Sequence, residues 1–98
     1  MVDRFYEQIK RHILKKLFDM RCWMGKHTSI HNMQKGLPGH ARDHKVISKV
    51  VNELLQKEWI HAKPTHYGLE LSLNIEKKKE IEEYIEREIT LFSENKGL

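Results

Sequence analysis

Apolar residues recur along this chain at two spacings, and the changes between them divide it into elements. Over residues 2–21 a stripe of Val2, Phe5, Ile9, Ile13, Leu17 and Met20, widened by Tyr6, Leu14 and Phe18, has the three- and four-residue rhythm of a helix with one buried face. Asp3 near its start and Lys15, Lys16 and Arg21 toward its end suit the helix dipole. The run Cys22-Trp23-Met24-Gly25 predicts its end, with Gly25 in the left-handed conformation and Trp23 and Met24 in the core. Lys26 to Thr28 suits a brief strand. Thr28 or Ser29 then caps a second helix, Ile30 to Lys35, which Gly36-Leu37-Pro38-Gly39 interrupts.

A third helix is expected over 42–57, where Val46, Ile47, Val50, Val51, Leu54 and Leu55 form the next helical stripe. The period then switches to two. Trp59 to Lys63 reads as a strand, Pro64 to Gly68 as a turn and Leu69 to Leu73 as a second strand, giving a hairpin over 60–73. Asn74 is a good cap for a fourth helix over about 75–92, with Ile81, Tyr84, Ile85, Ile89 and Phe92 on one face. Residues 93–98 read as a frayed tail. No repeat or linker divides the chain, so residues 1–98 form one domain with a core over about 4–74.

The face of the third helix opposite its apolar stripe carries Arg42, Lys45, Ser48, Lys49 and Asn52. All are cations or hydrogen-bond donors about one turn apart. Asp43 and Glu53 on the same helix dilute the positive charge. This helix and the VVNELLQKEWIHAKPTHYGLELSL segment that continues into the hairpin resemble the winged helix-turn-helix superfamily of small bacterial and archaeal transcription regulators. The resemblance covers residues 4–74 and is closest from Asp43 to Leu73. It implies an α+β, mostly α fold: a three-helix core, a β-hairpin wing and an extra C-terminal helix. By the same resemblance the helix 42–57 enters the major groove of double-stranded DNA, with Lys45, Ser48, Lys49 and Asn52 facing bases or phosphates. Arginine reads guanine, asparagine reads adenine, and lysine meets phosphate or guanine. Lys63, Thr65, His66 and Tyr67 at the hairpin tip would be the wing's donors. A plain turn, with Pro64 and Gly68 shaping the backbone and Tyr67 packed on a neighbour, accounts for the same residues. One departure stands at the corner after the helix, where Glu58-Trp59 replaces the usual glycine. Winged helices also serve as protein–protein interaction modules of larger assemblies without direct DNA contact, so the fold leaves two functions open.

Charge sharpens the first of these. The chain carries a formal net charge of +4, with 13 Lys and Arg against 6 Asp and Glu in residues 1–63 and 5 against 8 in residues 64–98. A basic body with an acidic end suits a polyanion partner. No apolar run is long enough to span a membrane, the amino terminus lacks the apolar core of a secretory signal, and a lone Cys22 suits a reducing compartment. A cytoplasmic protein is expected.

Other chemistry has less to stand on. His27/His31 and His40/His44 have helical-turn spacing, which can serve zinc. No second cysteine or H-E-x-x-H pattern completes a ligand set, so no metal and no cofactor are expected. The histidines more simply add donors to an anion surface. No glycine-rich phosphate loop, nucleophile elbow or evident carboxylate pair appears, so no catalytic residues are assigned and the chain is not read as an enzyme. The stripe Ile81, Ile85, Ile89 and Phe92 exceeds what the core requires and predicts a two-fold homodimer once the first and fourth helices have packed together.

Overall fold

The computed structural model describes residues 5–66 and 68–96, with side chains through residue 87 apart from His40. Among these the chain is α+β and mostly helical, with four α-helices and one three-stranded antiparallel sheet. The order is α1 (Tyr6–Asp19), β1 (Thr28–Ser29), α2 (Ile30–Gln34), α3 (His44–Gln56), β2 (Ile60–Thr65), β3 (Gly68–Leu73) and α4 (Lys78–Lys96). A 3-10 turn at Gly39–Ala41 lies between α2 and α3, and another at Ile75–Lys77 leads into α4.

One core joins the layers. Ile9, Ile13, Leu14 and Leu17 of α1 meet Val46, Ile47, Val50, Val51 and Leu54 of α3. Ile60, Leu71 and Leu73 enter from the sheet, and Ile81 and Ile85 from α4. The strands run β1-β3-β2, with Thr28 opposite Leu71 on one side of β3 and Ile60 opposite Leu73 on the other. Of the two capping candidates, Ser29 caps α2 by accepting from the Asn32 N–H.

Several boundaries differ from the expectations, each for a local reason. Gly25 does not terminate α1. Arg21 takes the left-handed backbone (φ 55°), while its N–H reaches Phe18 O and the Cys22 N–H reaches Leu17 O. That is a Schellman closure built on a non-glycine residue. Met24 also has positive φ and is 63% exposed, so it is no core residue; Trp23 is half-buried, edge-on to Phe18. The hairpin keeps the bounds 60–73, but β2 runs two residues further than Lys63, through Pro64 paired with Leu69 and Thr65 paired with Gly68. Proline fits because β2 is an edge strand, where its missing N–H leaves no central ladder bond broken.

The helix-to-strand corner after α3 repeats the device of α1. Glu58 stands in the left-handed region (φ 62°), its N–H on Leu55 O and the Trp59 N–H on Leu54 O. Glutamate thus takes a conformation that glycine usually fills. Asn74 ties this corner to the 3-10 turn before α4: its Nδ2 donates to Glu58 O at 2.7 Å, its backbone N–H to Trp59 O, and its Oδ1 accepts the Glu76 N–H. The position expected to start the fourth helix therefore caps the preceding 3-10 turn and also fixes the exit of α3.

Candidate nucleic-acid interface

α3 is shorter at its start than the expected 42–57. Asp43 is its N-cap, with its side chain accepting the Lys45 N–H at 2.9 Å. Arg42 therefore lies before the helix, in the turn, where its Nε–H donates to Leu37 O at 3.0 Å. From His44 onward the two faces separate cleanly. Val46, Ile47, Val50, Val51 and Leu54 are buried, while Lys45, Ser48, Lys49 and Asn52 are exposed. Arg42 is exposed too, but it precedes the helix and is held by its bond to Leu37 O.

Of the two acids expected to dilute this face, Asp43 keeps its charge there: it is exposed, and it caps the helix through a neutral backbone N–H. Glu53 is drawn inward, where its Oε1 accepts the Tyr6 hydroxyl at 2.6 Å and its Oε2 lies 2.6 Å from Lys10 Nζ and 3.0 Å from Lys57 Nζ. Lys10 is almost fully buried and sits against the rings of Tyr84 (5.1 Å) and Trp59 (5.9 Å), which meet edge to face. Burial alone would raise the Glu53 carboxyl. Donation from Lys10, Tyr6 and Lys57 outweighs it and holds the group down at about 2. Burial and the bond to Glu53 push the Tyr6 hydroxyl up to about 12, and the same carboxylate raises the Lys57 ammonium. The network ties α1 to α3 and takes a negative charge off the outer face.

The wing residues are placed differently. Lys63 is exposed at the edge of β2, but its cross-strand partner is Glu70, an opposite charge beside it. The Thr65 hydroxyl donates to Gly68 O at 2.9 Å and closes the turn, which removes its proton from outside use. His66 is exposed in the turn, and Tyr67 lies outside the described residues. From Ile60 to the tip the strand runs six residues, about 20 Å at 3.3 Å each.

Two features escaped the sequence reading. One is the Lys10–Glu53–Tyr6 cluster, in which Glu53 lies more than 40 positions from its two partners. The other is a cationic cleft beside α1, formed by Arg11, Lys15 and Lys16 against the 36–38 segment; the cations at helical spacing were the available signal. Among the described residues no three His, Cys, Asp or Glu side chains come together as a metal-holding group, and the side chain of His40 lies outside them. Cys22 is buried, which raises its thiol pKa. No described helix is long and apolar enough to cross a membrane. Comparison with known protein families, curated proteins and solved structures finds no match.

Proposed function

We propose that this chain is a winged helix-turn-helix DNA-binding protein, a transcription regulator that lays α3 in the major groove with the β2–β3 hairpin as its wing. The observation that carries the reading is the division of α3. Its inner face is locked into the core, its outer face presents Lys45, Ser48, Lys49 and Asn52, and Glu53 is withdrawn from that face by Lys10 and Lys57. Lys45 and Lys49 meet phosphates, Ser48 and Asn52 reach base edges, and Arg42 approaches the backbone where the helix enters. The succession α2, turn, α3, hairpin supports the assignment, as does the basic balance of residues 1–63.

The alternative, an interaction module of a larger assembly without DNA contact, draws on the hairpin. Its lysine is paired across the ladder with Glu70 and its threonine hydroxyl is committed to Gly68. Binding to a random-sequence duplex, followed by fluorescence anisotropy across a salt series, separates the two. If Arg42, Lys45, Lys49 and Lys63 each neutralise one phosphate, log Kd against log salt has a slope of magnitude about 3 to 4. An absence of binding at about 50 mM salt would contradict the DNA reading and favour the module.

A further inference from the structure

The cleft beside α1 has a chemistry that the DNA reading does not use. Its cavity measures about 610 Å3, within the range of small-molecule sites. Met20, Leu37 and Pro38 supply apolar wall, and its lining carries three fixed cations, Arg11, Lys15 and Lys16, against one carboxylate, Asp19. That carboxylate is already engaged: Lys15 Nζ lies 2.8 Å from one of its oxygens and 2.7 Å from the other. Lys16 Nζ instead donates to the Lys35 backbone carbonyl at 2.6 Å, a neutral acceptor that leaves its positive charge in place. The same carbonyl accepts His12 Nε2–H at 3.0 Å. Burial lowers the pKa of this imidazole.

An apolar wall beside an uncompensated cation is complementary to an anion with an apolar body. A bare inorganic anion would leave the wall wet, and an uncharged hydrocarbon would leave the Lys16 charge unanswered. We propose that this cavity binds a small carboxylate with an apolar body, its carboxylate at Lys16 and its hydrocarbon against Met20, Leu37 and Pro38. The site does not depend on the DNA reading. It lies one hydrogen bond from the segment entering α3, because the Leu37 carbonyl is the acceptor for Arg42.

The test is an amide-resolved NMR titration of the full chain with octanoate, octanol and inorganic phosphate at matched ionic strength. Octanoate is expected to shift the Met20, Gly36 and Leu37 amides saturably, with Kd of about 1 mM or tighter. Octanol should bind at least about tenfold more weakly, the equivalent of one lost charge-assisted hydrogen bond. Phosphate should not shift these amides in a saturable way. Lys16→Gln should weaken octanoate by about tenfold, and Asp19→Asn, which frees Lys15, should tighten it. Any of three results would overturn the site: no saturation with octanoate, octanol binding as tightly as octanoate, or phosphate saturating the same amides. If Lys16→Gln disturbs the fold, Asp19→Asn still decides, and unchanged or weaker octanoate binding in that variant counts against the proposal.

Discussion

Replacing Glu53 by glutamine removes the charge that Lys10 and Lys57 share while keeping the side chain's shape. Lys10 then stands almost buried beside two rings with no anion. Breaking a buried pair typically costs about 3–5 kcal/mol. Part of the Glu53 side chain reaches water, so a loss of about 2–3 kcal/mol is expected, read as a lower denaturation midpoint. The parent's acid response has the same origin. The Glu53 carboxyl sits at about 2 in the fold against an ordinary 4.5. Its stabilisation is therefore fully present above pH 4.5 and is lost as pH falls through 4.5 toward 2. Parallel acid-unfolding curves for parent and Glu53→Gln would show that the network contributes nothing. Tyr6 gives the opposite limb: with its hydroxyl raised from 10.0 to about 12, its contribution holds below pH 10 and disappears as pH climbs toward 12. At Glu58 the sign is stabilising. Glycine there relieves a left-handed strain of about 1–2 kcal/mol at some cost in unfolded-chain entropy, so Glu58→Gly should raise stability by about 0.5–1 kcal/mol. The roles of Glu53 and Tyr6 were not legible in the chain, because Glu53 finds these partners more than 40 positions away. Glu58 was marked in part, since the resemblance places a glycine at that corner, whereas Arg21 in a glycine's place carried no local mark.

Among the elements, α3 was legible because its five buried residues recur at helical spacing and nothing else in the segment competes with them. The hairpin was legible from its alternation, and its strand lengths less so. Pro64 argues for a turn until the sheet order makes β2 an edge. α4 is where the reading changes most. Ile81 and Ile85, expected at a dimer interface together with Ile89 and Phe92, are 0% and 4% exposed within a single chain, and the side chains of Ile89 and Phe92 lie outside the described residues. The hydroxyl of Tyr84 reaches Glu7 at 2.9 Å and holds the same helix on α1. Ile81→Ala should therefore cost about 2–4 kcal/mol by an amount independent of protein concentration. A midpoint loss that vanished on dilution would instead place Ile81 between subunits.

Across the whole molecule, the basic balance of residues 1–63 includes the outer face of α3 and the lining of the α1 cleft, while residues 64–98 carry the acidic excess. The charge asymmetry was readable from composition. The placement of these cations was not, because it depends on which of them the fold pairs with Asp19 and Glu53. The DNA reading rests on geometry at α3 and not on net charge, and one pair of variants separates these. Lys45→Glu with Lys49→Glu reverses two exposed charges opposite the buried stripe, and Lys77→Glu with Lys78→Glu makes the same charge change where the Ile75–Lys77 turn meets α4. Surface changes of this kind alter stability by only about 0.5 kcal/mol, so both proteins should remain folded. Duplex binding across a salt series should be abolished or nearly so in the α3 variant, with any residual salt slope smaller by about 2, and should weaken only modestly in the α4 variant. Equal losses in the two would contradict the account and leave a basic protein with no recognition helix.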